Sequence, residues 1–213
     1  MRKRPNITIG VLSHTHLPYR MSSLPSIIYN IFQGVDYIFH AGDVDKIDLL
    51  APLREIAPLY AVRGNIHLHE LSLGGIELPA EIRLKLANYT IVITHGHRPG
   101  LMGWLLKVPE VILSGLSDGH SRFINDRIAR RLHKRYAEAD VVIFGHTHVA
   151  YTRYLGRTLF FNPGGVVSVE NRFPSVGLLH LWPDHIESQI VFLADREARI
   201  AQLKDWIAPP STV

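Results

Sequence analysis

The sequence predicts a single α/β domain, and three observations carry that prediction. Short runs of apolar and β-branched residues recur along the chain, and five of them end in a polar cluster bearing histidine, aspartate or asparagine. Helical stretches separate the early runs, the alternation expected of βαβ units with right-handed crossovers. From about residue 150 the runs become closely spaced and turn-linked, as in antiparallel hairpins.

Taken in order, Ile7 to Leu12 reads as a buried strand bounded by Pro5 and by Ser13-His-Thr-His16. A helix is predicted over 22–33, then a strand over 36–40 that runs into Ala41-Gly-Asp43. A second helix is predicted over 46–56, followed by a strand at 59–62 that runs into Arg63-Gly-Asn65. The first half should therefore form a mostly parallel sheet. Residues 81–86 and 89–94, joined through Ala87 and Asn88, read as a hairpin that delivers His95-Gly-His97. The strand at 140–144 leads into Gly145-His-Thr-His148, and strands follow at 150–155, 158–161, 176–182 and 186–193.

The segment from about 98 to 137 departs from this grammar. Ile124, Ile128, Leu132 and Tyr136 recur at four-residue spacing while Arg127, Arg130, Arg131, Lys134 and Arg135 fill the other faces, the pattern of an amphipathic basic helix. It reads first as a solvated helix face; fencing the cleft, or a contact in a homo-oligomer, is the alternative. The expected domain spans 1–208 with this helical basic insertion, leaving 209–213 as a frayed tail.

Composition narrows the class of protein. At 213 residues, 46% hydrophobic and 20% charged, the chain has the balance of an ordinary globular domain with a sizeable core. No apolar run approaches the roughly 18 residues of a membrane helix, and the run behind the basic start is too short and broken for a signal peptide. A cytoplasmic protein without a membrane partner is the expectation. The chain has no cysteine, so any metal must be held by nitrogen and oxygen. Lys and Arg exceed Asp and Glu by 23 to 19, which favours anionic ligands, but the chain lacks the aromatic and basic interleaving of a nucleic-acid groove.

The polar clusters suit metal chelation. Open α/β sheets bind ligands at the carboxyl ends of their strands, where all five clusters fall. On an extended segment, His-x-His sends both rings to one face, which would pair His14 with His16 and His146 with His148; in a turn that argument lapses. Asp43 is the one anionic side chain of the five clusters and the natural bridge between two cations. Asn65 would offer a carbonyl oxygen to a metal and an amide to a substrate oxygen.

In that order, Ser13-His-Thr-His16, Gly42-Asp43, Gly64-Asn65, Thr94-His-Gly-His97, Gly145-His-Thr-His148 and Asn162-Pro-Gly-Gly165 resemble the motifs of the calcineurin-like metallophosphoesterases. The resemblance covers about residues 7–193 and points to the small branch of bacterial phosphodiesterases and Vps29. It implies a two-sheet αββα sandwich with mixed parallel and antiparallel strands. It also implies two divalent metal ions, which the imidazole of His14 biases toward transition metals (Mn, Zn, Fe, Co or Ni), one held by His14, His16, Asp43 and His148, the other by Asp43, Asn65, His95 and His146. The implied reaction is hydrolysis of a small phosphate ester, foremost a phosphodiester, by a hydroxide that the metals activate.

Two positions depart from the family pattern. His14 stands where the first motif normally carries aspartate, which removes a negative charge and favours borderline over hard cations. Ile66 follows Asn65 where relatives often carry a proton donor, leaving His67 or His97 to protonate the leaving oxygen. The alternative class is a catalytically weak or inactive scaffold that holds partner proteins, as the resemblance to Vps29 allows.

Overall fold

The computed structural model describes residues 5–17, 20–44, 46–64, 78–97, 118–167 and 173–193. Among these residues, ten strands form two five-stranded sheets. The first has the order β10-β9-β1-β2-β3, with β1 Ile7–Leu12, β2 Tyr37–His40, β3 Leu59–Ala61, β9 Ser175–Leu181 and β10 Ile186–Phe192. The second has the order β4-β5-β6-β8-β7, with β4 Glu81–Leu86, β5 Tyr89–Thr94, β6 Val141–Ile143, β7 Tyr151–Leu155 and β8 Thr158–Asn162. β1, β2 and β3 are parallel, as the first half of the sequence predicts. The sheet they form is mixed, because β9 returns antiparallel to β1 and carries β10 on its outer edge.

The early helices are shorter than the periodicity suggests, and proline is the reason. α1 spans Ser26–Ile31, since Pro25 holds the chain before it extended and disfavours helix at Leu24. The second predicted helix divides into a 3-10 turn, Ile47–Leu50, and a single α turn, α2 Ala51–Arg54, with Pro52 at its start, where a missing N–H costs nothing. The basic helix α3 spans Asp118–Arg135. Residues 98–117 of the predicted insertion, and the tail at 209–213, lie outside the described residues.

Alternation along the strands makes four layers. Ile9, Val11, Phe39, Ile91, Ile93, Val141, Ile143, Leu159, Phe161 and Leu179 meet between the sheets. The opposite strand faces receive the helices. Leu12, Ile38 and Val176 pack with Ile28 of α1, with Phe32 just after it and with Leu53 of α2, while Val92, Val142 and Phe160 pack with Ile128, Ala129 and Leu132 of α3. The result is the expected αββα sandwich. Each of these layers buries side chains essentially out of water, which stabilises a fully buried Leu, Ile, Val or Phe by about 1.5–3 kcal/mol. Among the described residues, no helix is long and apolar enough to cross a membrane.

Candidate metal centre

β1, β2, β5 and β6 all end at the same edge of the sandwich, β1 beside β2 and β5 beside β6, each pair parallel. The polar residues that follow them therefore converge. His14, His16 and His148 each bring one ring nitrogen to within 4.8 Å of the others, and His14, Asp43 and His95 do the same with two nitrogens and a carboxylate oxygen. Asp43 Oδ2 lies 3.2 Å from His14 Nδ1, 3.5 Å from His95 Nε2 and 3.9 Å from His16 Nε2. His146 closes the other side, its ring centroid 5.3 Å from that of His95, and His97 follows at 5.5 Å from His95. Asn65 and His67 lie outside the described residues.

The convergence does not come from extended His-x-His segments. His14, His16, Asp43, His146 and His148 all have left-handed backbones, with φ of 54°, 46°, 59°, 74° and 57°. The period-two expectation is thus replaced by tight loops in which single left-handed residues turn each ring toward the centre. Non-glycine residues in this region cost on the order of 1–3 kcal/mol each and persist only where their surroundings hold them. Here backbone bonds between loops do so. His14 N–H donates to Gly42 O at 3.0 Å, Val167 N–H to His14 O at 3.2 Å, and Gly145 N–H to His95 O at 3.2 Å.

Close approach leaves no room for side chains at two glycines. A Cβ on Gly42, itself at φ 95°, would fall 2.5 Å from His95 Nδ1, and one on Gly64 would fall 1.7 Å from Asp43 Oδ1.

Charge and protonation follow from burial. His14 and His95 are wholly buried and Asp43 nearly so. Desolvation lowers the His14 pKa to about 4, although the adjacent Asp43 pulls the other way. His146 is pushed well below its ordinary value, first by burial and then by the neighbouring His95. Burial alone would raise Asp43, but His95, His14 and His16 around it outweigh that and hold its carboxyl well below the usual range. The outcome is one carboxylate beside two imidazoles, His14 and His146, that burial drives toward the neutral form.

This donor set fits divalent cations of the borderline class. His14 supplies the sharpest test. Its Nδ1 is at hydrogen-bond length from Asp43 Oδ2, yet among the described residues neither of its ring nitrogens finds an aligned hydrogen bond, and its ring stacks on His148 with centroids 3.7 Å apart. A buried nitrogen so placed is costly unless it ligates. His95 has the complementary arrangement: Nδ1–H donates to Ala41 O at 2.8 Å, which fixes the tautomer and leaves Nε2 facing Asp43.

Sequence reasoning missed two buried residues that hold these loops, His40 and Asn125, and placed a third, Asn162, in a motif without giving its side chain a role. His40, the last residue of β2, accepts the Gly42 N–H at Nδ1 (3.2 Å), so its proton sits on Nε2 and is shared with Thr15 Oγ1 at 3.2 Å. It ties the loop of His14 and His16 to the loop of Asp43, and burial lowers its pKa to about 3. Asn125 and Asn162 bond the loop of His146 and His148. The signal for Asn125 was present, since it falls on the inward stripe of α3 ahead of Ile128 and Leu132. One member of the predicted basic face also turns inward: the Arg131 guanidinium donates to Gly96 O, so Arg131 belongs with the loops and not with the solvated arginines.

A two-sheet sandwich with a histidine and aspartate cage at its strand ends defines the metallophosphoesterase class. The chain belongs to the calcineurin-like phosphoesterase superfamily, whose domain profile matches residues 7–182. It is 30% identical over 183 residues to a probable metallophosphoesterase of Methanothermobacter thermautotrophicus, covering 86% of this chain and 91% of that one. Its fold is similar to Vps29 of Entamoeba histolytica complexed with zinc, with a TM-score of 0.59 at 18% identity over 88% of this chain and all 100% of that one. It is similar also to a novel archaeal phosphodiesterase, with a TM-score of 0.54 at 22% identity over 87% of this chain and 100% of that one. Membership in this family supports phosphoester hydrolysis as the general activity.

Proposed function

We propose that the protein hydrolyses a small phosphate ester, foremost a phosphodiester, at a dinuclear metal centre. The observation that carries this reading is the position of Asp43, whose one oxygen faces His14, His95 and His16 at 3.2, 3.5 and 3.9 Å. An ionised carboxylate so placed can serve two cations at once. His14, His16, Asp43 and His148 would hold one, and Asp43, Asn65, His95 and His146 the other. When bound, the pair supplies Lewis-acid positioning of the phosphoryl group and activation of the attacking water.

The chain's own residues do the rest. His14 and His146, which burial drives toward the neutral form, keep their lone pairs for ligation, and the Ala41 carbonyl holds His95 in the tautomer that leaves Nε2 to ligate. His97, half-buried beside His95 and His146, would give a proton to the leaving oxygen, with His67 as the other candidate. Asn65 would donate its amide to a substrate oxygen. His14 in place of a carboxylate makes the centre more positive and favours Mn, Zn, Fe, Co or Ni over Mg and Ca.

A second reading, a scaffold with weak or no catalysis, is favoured by His14 itself and by the likeness of the fold to Vps29. Metal analysis of purified protein, with bis-p-nitrophenyl phosphate and p-nitrophenyl phosphate as substrates, separates the two. Two metals per chain and metal-dependent cleavage, both lost in Asp43→Ala, are expected; a loaded protein that cleaves neither ester would establish the scaffold. His14→Asp shows whether the imidazole or a carboxylate holds the first ion more firmly.

A further inference from the structure

We infer that Asn125 of α3 is a positioning residue for the loop of His146 and His148, so that seating of this helix and loading of the metal centre are one coupled event. The inference rests on the metal reading proposed above. Asn125 is fully buried, one turn ahead of Ile128 and Ala129, at a position where the helix otherwise presents apolar side chains to the second sheet. A buried amide there needs partners on both its ends, and it has them. The Thr147 hydroxyl donates to Asn125 Oδ1 at 2.8 Å, and Asn125 Nδ2 donates to Val149 O at 3.2 Å. Because a carbonyl can only accept, Val149 O also fixes which way the amide faces.

The bonded positions alternate with the ligands. Thr147 sits between His146 and His148, and Val149 follows, so each histidine has a neighbour on either side that is tied down. Asn162 completes the set, donating to Gly145 O at 2.8 Å and to Thr147 Oγ1 at 3.1 Å while accepting the Gly164 N–H at 2.9 Å. Residues 145, 147 and 149 are thereby pinned, and the histidines between them hold φ of 74° and 57°, conformations a free loop would leave. A fully satisfied buried network of this kind rigidifies what it touches. The same helix reaches the other histidine loop of this sheet, through Arg131 on Gly96 O and through Ile128, whose Cγ2 lies 3.3 Å from where a Gly96 Cβ would be. α3 therefore braces both.

Removing an outer partner of a ligand loop weakens metal binding by about 10–100-fold where the partner positions ligands. The test titrates metal-free full-length wild type, Asn125→Ala, Asn125→Asp and Thr147→Val with Co2+, reading visible absorption and calorimetric affinity, and melts each metal-free protein alongside. Asn125→Ala and Thr147→Val are expected to bind Co2+ about 10–100-fold more weakly, with an altered ligand-field spectrum. Asn125→Asp keeps the acceptor for Thr147 but sets an oxygen against Val149 O, and should also bind more weakly. A purely structural role would lower the metal-free Tm and leave affinity and spectrum unchanged, which overturns the inference. Thr147→Val keeps side-chain volume and decides the matter should Asn125→Ala not fold. Wild type that takes up no Co2+ sinks the metal reading and this inference together, whereas normal uptake by wild type and variants alike sinks this inference alone.

Discussion

Gly64 lies so close to Asp43 that a methyl group on it would fall 1.7 Å from Asp43 Oδ1 and 2.4 Å from the Asp43 backbone nitrogen. The first contact could be relieved by rotating the carboxylate, but the second could not, because the Asp43 backbone is itself in a left-handed turn. Gly64→Ala should therefore move the Asp43 carboxylate away from His14 and His95. Overpacking of this kind costs about 1–3 kcal/mol, and in a chain of this size Tm falls by about 2–4 °C per kcal/mol. Thermal melting and metal content measured together check this: both should fall, and a variant with wild-type values for both would show that Asp43 has slack the geometry denies.

His40 should matter for stability before any metal binds. It is the hydrogen-bond link between the Thr15 hydroxyl and the Gly42 N–H, at 3.2 Å each, and it is wholly buried. His40→Phe keeps an aromatic ring, slightly larger than the imidazole, and strands the Gly42 donor, a loss of about 1–3 kcal/mol. His40→Asn places an acceptor near the lost Nδ1 and should recover part of that. Urea unfolding of the metal-free proteins tests the order wild type, Asn, Phe; equal midpoints for the two variants would mean that the Gly42 bond contributes nothing.

Acid should loosen the junction between α3 and β4. Burial resists ionisation of Glu81, but the Tyr136 hydroxyl at 2.5 Å, Arg135 at 2.7 Å and Arg83 at 3.3 Å together hold its pKa below the ordinary 4.5. A carboxylate depressed on folding contributes stability that is complete above its unfolded pKa and lost as pH falls through the folded value. The window therefore opens near pH 4.5 and extends downward. Exposed pairs contribute roughly 0.2–1 kcal/mol, so Glu81→Gln should cost that much at pH 7 and flatten the acid limb of stability against pH. Denaturant midpoints at pH 7, 5, 4 and 3 are the measurement; an unchanged slope below pH 4.5 would remove Glu81 from the account.

The central strands were legible in the sequence because burial on both faces leaves a compact apolar run, and the candidate site residues stood out because each run stops at a polar cluster. Their convergence was legible too, through the rule that parallel strands bring their carboxyl ends together. The backbone that delivers them was not. His14 and His16 look the same in one dimension whether extended or left-handed, and only the loop contacts to Gly42 and Asp43 decide it. His40 was read as the end of a strand, since its two partners lie in different loops. Asn125 carried a signal, one polar residue on an apolar stripe, but the amphipathic pattern is dominated by charge on the other faces. Arg131 was grouped with Arg127 and Arg130 because sequence spacing does not show how far a long side chain bends back.

That last distinction makes opposite predictions for the arginines. Arg127 and Arg130 are exposed, and Arg127 rests over the Phe123 ring at 5.9 Å, whereas Arg131 is half-buried and donates to Gly96 O between His95 and His97. Exposed side chains away from such bonds usually change free energies by no more than about 0.5 kcal/mol. The double variant Arg127→Ala with Arg130→Ala should thus leave kcat/KM for bis-p-nitrophenyl phosphate close to wild type. Arg131→Ala removes a charge-assisted bond of about 1.5–3 kcal/mol from the loop that carries two histidines, and should lower kcat and metal affinity together. Salt separates this from steering of an anionic substrate. The Debye length falls from about 10 Å at 0.1 M to about 3 Å at 1 M, so a steering defect fades at high salt while a defect in loop geometry persists. A double variant whose KM rises only at low salt would give the exposed arginines the role of a fence around the cleft; a loss in Arg131→Ala that is equal at both salt concentrations would assign that side chain to the brace.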